Sequence, residues 1–316
     1  MKKPKILVII GPTASGKTEL SINAAIEIEK QTGKQVEIIS ADSRQIYKHI
    51  PVTTAQPSKE QLSLFKHHYI ASHELNEDFN AGEFGSGGRK LINDIQGKGK
   101  IPLVAGGSGL YINSLVYGLF GNDGSISKEK DLAVRNELYK RAENEGIDVL
   151  LRELEKADPE TVKNMPHKTT PRIIRALQAF IVTGIPISKH KEKKIEIDFI
   201  PVMVGIETDR KELYSKINKR AEVMIEGGMI MEIKLLKEKG CHYKTHNSLN
   251  TVGAKEVFDY LDNKIDKDRM LELIKQNTRR YAKRQLTWFR RDKNIRWRDI
   301  GDDLSSLIAI LSGSKN

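Results

Sequence analysis

The residues best suited to chemistry stand near the start of the chain, in IIGPTASGKTEL (9–20). An apolar run gives way to Gly11, Pro12, Thr13, Ala14, Ser15, Gly16, Lys17 and Thr18, and a helical pattern follows. A Gly-x4-Gly-Lys-Thr spacing between a strand and a helix is that of a phosphate-binding P-loop. Its glycines let backbone N–H groups turn inward around anionic oxygens, and the helix N-terminus adds the positive end of its dipole. Lys17 supplies a full charge, and Thr18 can place its hydroxyl on a Mg²⁺ ion.

Such loops most often serve ATP or GTP enzymes, which carry a second acid at the end of another apolar strand to hold the metal. Here the matching strand ends in VAGGSG (104–109), without an acid. The nearest carboxylate is Asp42, in IISADSRQIY (38–47). Three roles are open to it: a water-mediated metal ligand, as in a kinase of a nucleoside or small metabolite, a general base, or a helix cap. Ser108, in the Gly106–Gly109 turn, is a further candidate for a hydroxyl contact. His67, His68 and His73 lie near one another in FKHHYIASH, but no acid or cysteine cluster joins them. A turn or an edge strand fits them better than a metal site.

The elements that must position these groups are legible from apolar runs. Ile6–Ile10, Val36–Ile39, Ile101–Ala105 and residues 200–206, in FIPVMVGIE, read as buried strands, with a helix around Phe84–Ile95. Strands alternating with helices imply an α/β fold with a mostly parallel sheet flanked by helices. In such sheets, sites lie at the carboxyl ends of the strands. That rule selects three loops: Gly11–Thr18, Ala41–Gln45 and Gly106–Gly109. Residues 119–127 are turn-rich and are followed by charged helical stretches interrupted at Gly146. Asp158-Pro159 and Thr170-Pro171 read as helix starts, and Gly184 with Pro186 as a stop. Residues 119–195 are therefore expected to be a helical insertion in a P-loop core formed by 1–118 and 196–316.

The far end of the chain is basic. From Arg279 to Arg298 there are nine Lys and Arg against one acid, Asp292. Wound at 100° per residue, Arg279, Lys283 and Arg290 cluster, with Arg280, Arg284 and Arg291 as an adjacent stripe. Ala282, Leu286 and Phe289 lie opposite, flanked by Tyr281 and Trp288. An unmixed cationic face of this kind fits a phosphate backbone better than a solvated surface, which usually mixes signs. Arg172 and Arg175, spaced i, i+3 in the insertion, point the same way. The whole chain has a net charge of +11, consistent with a polyanionic partner. Its one cysteine, Cys241, excludes an internal disulfide and suits a reducing cytoplasm. No apolar run approaches the ~20 residues of a membrane helix. The start, MKKPKILVII, reads as the first core strand rather than a signal sequence.

Taken together, the motifs resemble the tRNA dimethylallyltransferase (tRNA isopentenyltransferase) family over nearly the whole chain. The resemblance rests on GPTASGKT (11–18), ADSRQIY (41–47), HHYI (67–70), NAGEF (80–84), VAGGSGLYI (104–112), PRIIRAL (171–177), TGIPIS (183–188), INKRAEVMIEGGMIMEI (217–233) and NTRRYAKRQLTWFR (277–290). It implies transfer of a dimethylallyl group from dimethylallyl diphosphate to the exocyclic amine of the adenosine 3′ to a tRNA anticodon. Gly11–Thr18 would then hold a diphosphate leaving group rather than a nucleotide, which accounts for the missing acid.

The resemblance also implies individual roles. Lys17 and Thr18 would bind diphosphate and Mg²⁺, Asp42 would be the base, Ser108 the hydroxyl of its turn, and Arg220 a diphosphate clamp. Asp42, Ser43, Arg44 and Gln45, with Ser108, would contact tRNA, as would Pro171, Arg172, Ile173, Ile174 and Arg175. Arg279, Arg280, Lys283 and Arg284 would grip the anticodon arm. The enzyme would work as a cytoplasmic monomer. Four departures from the family pattern are visible: Thr53-Thr54-Ala55-Gln56-Pro57 stands for Gly-Thr-Ala-Lys-Pro, Gly253-Ala254-Lys255-Glu256 for Gly-Tyr-Lys-Glu, Pro171 for Gln, and Ser108 for Thr.

Overall fold

The structure is a computed structural model that describes residues 3–118, 128–190 and 195–302, with Ser305, Ile308 and Leu311. The turn-rich stretch 119–127 and residues 191–194 lie outside the described residues. Six strands, β1 (Lys5–Ile10), β2 (Val36–Ser40), β3 (Lys66–His68), β4 (Ile101–Gly106), β5 (Ile200–Glu207) and β6 (Arg296–Asp299), form one sheet in the order β3-β2-β4-β1-β5-β6. Every neighbouring pair is parallel. The four central strands are the four apolar runs of the sequence, buried on both faces as strands in a covered parallel sheet must be.

The two edge strands, β3 and β6, are short and polar. The basic stretch from Arg279 ends in β6, where Arg296 and Arg298 pair in register with Val204 and Ile206 of β5. A turn at Asp292–Ile295 ends the helical run before it.

The chain divides into two compact units. The first comprises Met1–Asn80, Gly87–Ile112 and Ile197–Asn316. It contains the sheet, α1 (Lys17–Thr32), α2 (Lys59–Leu64) and the larger part of α3 (Ala81–Gly97), and α4 (Gly109–Tyr117) begins in it. The second comprises Ala81–Ser86 and Asn113–Glu196 and holds α5 (Lys128–Glu145), α6 (Ile147–Ala157), α7 (Pro159–Asn164), α8 (Thr170–Thr183) and α9 (Ile187–His190). The first unit closes with α10 (Arg210–Glu226), α11 (Met229–Glu238), α12 (Ala254–Leu261) and α13 (Lys267–Phe289).

Each unit has its own apolar core. In the first, Leu20, Ala24 and Ile28 of α1 pack on Leu7, Ile9, Ile38, Leu103 and Val204 of the sheet. A second cluster joins Ile46, Tyr47 and Ile50 to Met229, Ile233, Val257, Phe258, Met270 and Ile274 of α11–α13. In the second unit, Leu138, Leu150, Leu154, Ile173, Ile174 and Leu177 form the core. There Asp158 caps α7, accepting from the Thr161 N–H at 3.0 Å, with Pro159 in the first turn. α8 ends at Gly184, whose φ of 73° suits a residue without a side chain.

Candidate active site

The P-loop connects β1 to α1 with two left-handed residues, Ala14 (φ 63°) and Gly16 (φ 86°). Such a conformation is strained for alanine, and tertiary packing fixes it. The Ala14 side chain packs against the cluster of Leu213 and Ile217 of α10 and Ala282 of α13. Thr13, Ala14, Gly16, Lys17 and Thr18 line a cavity of about 510 Å³. All of its lining residues belong to the first unit. Ser15 is turned inward, 1% exposed, with no hydrogen-bond partner for its hydroxyl among the described residues.

Lys17 donates from Nζ to the Pro12 carbonyl at 2.6 Å. Burial lowers its pKa to about 8, with Asp42 opposing the shift and Arg220 adding to it. Arg220 lines the same cavity from α10, has no hydrogen-bond partner among the described residues, and is likewise lowered by burial against the pull of Asp42. Two cations are thus held partly desolvated and within electrostatic reach of one carboxylate. The arrangement is suited to an anion of higher charge than Asp42 supplies.

Asp42, which lines the cavity too, is both a cap and a free carboxylate. Its Oδ1 accepts the N–H groups of Arg44 (2.9 Å) and Gln45 (3.3 Å), fixing the side chain, while Oδ2 has no hydrogen bond among the described residues. Ser108 is buried in its turn. Its hydroxyl accepts the Ser43 N–H at 2.9 Å and donates to Ser43 Oγ at 3.1 Å, tying its turn to the Asp42 loop. Gln45 reaches the Ala55 carbonyl at 2.9 Å, and Arg44 donates to the Asn247 carbonyl at 2.6 Å. Gln56, one of the departures, donates to the Gln45 and Tyr47 carbonyls at 3.0 and 2.8 Å. That position buttresses the Asp42 loop.

The basic residues separate by environment. Arg280, Lys283 and Arg284 are exposed on α13. Arg279 is occupied inside the fold, donating to Asn218 Oδ1 at 2.6 Å with its guanidinium 6.0 Å from the Tyr214 ring centre. In the second unit, Arg172 and Arg175 are exposed at the start of α8, Arg175 pairing with Asp131 at 3.4 Å, and Pro171 is exposed in the first turn. Ile173 and Ile174 are a correction to the expected tRNA-contacting segment. Each is 1% exposed and packed in the core, because the helical period turns those two positions away from the arginines.

Several site residues lie within the quoted motifs, NTRRYAKRQLTWFR and HHYI, without a role at the site that those motifs assign. Tyr281 and Gln285 of α13 line the cavity. Burial and the charge of Asp42 push the Tyr281 hydroxyl up to about 12, against Arg44, Arg284 and a hydrogen bond with Ser108. Gln285 is 6% exposed and accepts the Thr13 N–H at 2.9 Å while donating to the Gly107 carbonyl at 2.8 Å. A side chain at Gly107 would place its Cβ 2.5 Å from Gln285 Nε2, and one at Gly109 would collide with the Trp288 indole. The glycines of this turn therefore admit α13. The available signal was a glutamine interrupting the apolar stripe Ala282–Phe289. His67 also lines the cavity. Its Nδ1 contacts the Phe65 carbonyl at 2.8 Å, and burial, with His68 nearby, lowers its pKa despite that bond.

Comparison with known proteins bears directly on this geometry. Residues 45–292 match the family model described as IPP transferase. The chain is 41% identical to a tRNA dimethylallyltransferase of Fervidobacterium nodosum, covering 99% of this chain and 97% of that one. It is 38% identical to that of Natranaerobius thermophilus, over 95% of this chain and 88% of that one. Among solved structures, the full-length tRNA isopentenylpyrophosphate transferase of Bacillus halodurans superposes with a TM-score of 0.67 at 32% identity, covering 99% and 95% of the two chains. A eukaryotic dimethylallyltransferase, in a structure titled as acting on tRNA, gives 0.78 at 26% identity over 97% and 78%. With a P-loop sheet that carries its cationic cradle and carboxylate in one cavity, and with this similarity along nearly its full length, the chain belongs to the IPP transferase family.

Proposed function

We propose that this protein transfers a dimethylallyl group from dimethylallyl diphosphate to the exocyclic amine of the adenosine 3′-adjacent to the anticodon of tRNA, releasing diphosphate. One observation carries the residue assignment: Lys17 and Arg220 share a cavity with the free Oδ2 edge of Asp42. The amine of adenine is a weak nucleophile because its lone pair is delocalised. Its nitrogen forms a bond to the first allyl carbon as the carbon–oxygen bond to diphosphate breaks and the leaving oxygen takes the electron pair. Lys17, Arg220 and the loop N–H groups stabilise that growing charge. Asp42 takes the proton that the amine loses.

The chemistry of the donor set fits a metal held mainly by substrate. Thr18 offers one hydroxyl, and no group of three His, Cys, Asp or Glu suited to a metal occurs among the described residues. Such a site suits Mg²⁺, which keeps waters and binds substrate phosphates. When bound, Mg²⁺ supplies further positive charge to the departing diphosphate.

The adenosine leaves its stack to reach the allyl carbon, at a cost of a few kcal/mol. Arg280, Lys283 and Arg284, with Arg172 and Arg175 of the second unit, hold the anticodon stem-loop through its phosphates. The enzyme acts as a cytoplasmic monomer, and its single cysteine suits a reducing compartment. Incubation with tRNA and either labelled dimethylallyl diphosphate or γ-labelled ATP tests the assignment. Allyl label is expected in tRNA. Phosphoryl label appearing in a small acceptor or in RNA would support a kinase instead.

A further inference from the structure

Gln285 stands where three parts of the site meet. Its Oε1 accepts the Thr13 N–H of the P-loop and its Nε2 donates to the Gly107 carbonyl. From Gly107 the path continues without a gap. Ser108 bonds Ser43, and the Ser108 N–H donates to the Ala41 carbonyl at 3.1 Å, on either side of Asp42. The loops at the ends of β1, β4 and β2 are thereby tied in a row. Of its neighbours on α13, Lys283 is exposed, and Arg284, also exposed, lines the cavity.

We propose that Gln285 is a positioning residue that sets the spacing between the diphosphate cradle and the Asp42 loop. This rests on the reading of Gly11–Thr18 as the cradle and Asp42 as the base. Displacement at carbon needs the attacking nitrogen, the carbon and the leaving oxygen in line. One partner is held on the Thr13 side of Gln285 and the other on the Gly107 side. A misplacement of about 1 Å lowers the rate by roughly 10²-fold. Both polar atoms of the Gln285 amide are used on the two loops, so it acts through them. Its removal lowers the rate of the bound complex and leaves the affinities nearly alone.

The test is single-turnover transfer at saturating tRNA and dimethylallyl diphosphate. Gln285→Leu keeps the bulk and loses both bonds, and a roughly 10²-fold lower rate is expected, with tRNA affinity and its salt slope within about twofold of the parent. Gln285→Glu keeps the acceptor for Thr13 and loses the donor to Gly107 while ionised. Protonation restores that donor, so its deficit relative to the parent is expected to shrink as pH falls from 8 to about 5.5, burial raising the carboxyl's pKa. A parental rate in Gln285→Leu, or a deficit in Gln285→Glu that is flat with pH, overturns the proposal. Inorganic diphosphate binding to Lys17→Ala separates the two readings. Unchanged binding there would remove the cradle assignment, whatever Gln285 does.

Discussion

Asp42 carries two duties at once, and its two oxygens divide them. Oδ1 is spent on the Arg44 and Gln45 N–H groups, so the side chain is locked before substrate arrives. Oδ2 remains for a proton. Asp42→Asn keeps the turn and removes the base, so single-turnover transfer is expected to fall by about 10²–10⁴-fold while diphosphate affinity changes little. Calorimetric titration with diphosphate beside the rate measurement checks both halves. Lys17 yields a pH signature. Its pKa near 8 in the free protein means the charge that attracts diphosphate is lost as pH rises through that value. Affinity for inorganic diphosphate is expected to drop toward tenfold per pH unit above about 8, with a proton taken up on binding. Lys17→Met should lose that step, as calorimetry in buffers of different ionisation enthalpy would reveal.

At the scale of elements, α13 has two unlike faces. Inward, Gln285 and Tyr281 join the loops of the site, and Ala282 and Phe289 are buried. Arg280, Lys283 and Arg284 are exposed, and Arg284 lines the cavity as well. Neutralising Lys283 or Arg284 should weaken tRNA binding and reduce the slope of log affinity against log salt by about 0.7–1 for each phosphate left without its cation. Arg279, bonded to Asn218 across to α10, behaves differently. Arg279→Ala should lower stability by roughly 1–3 kcal/mol and leave the salt slope nearly unchanged. Filter binding across salt concentrations and urea melts distinguish the two kinds of arginine.

For the molecule as a whole, the edge of the sheet is pinned by one buried carboxylate. Glu37 of β2 is 4% exposed and bonds His68 Nε2 of β3 at 2.6 Å and Lys100 Nζ at 2.7 Å, with Lys66 at 3.7 Å. Burial alone would raise its pKa, but the bonds from Lys100 and His68 and the charge of Lys66 hold it at about 2. A depressed carboxyl stabilises the fold above its unfolded value, near 4.5, and that contribution fades as pH falls toward 2. Stability on the order of 3 kcal/mol should be lost across that window, and Glu37→Gln should flatten it. Urea titrations at pH 2.5, 4 and 6 measure both.

Local spacing and periodicity determined much by themselves: four central strands, the P-loop, the caps at Asp158 and Gly184, and the three loops at strand ends. These features depend on neighbours in sequence, on steric limits at glycine and proline, and on apolar runs long enough to be buried. Tertiary structure decided the rest. Strands β3 and β6 are short and polar, so only pairing with β2 and β5 makes them strands. Arg279 and Arg280 are adjacent letters of one charge, yet one is folded inward and the other exposed because α10 packs against a single side of α13. The Ser108 hydroxyl also ties its turn to Ser43, a contact between residues 65 positions apart. Gln285 lies in the NTRRYAKRQLTWFR motif, but the motif names no partner for it. Its place in the site comes from a helix more than 170 residues downstream laying its inner face across the Gly107 turn, a contact that no local pattern encodes.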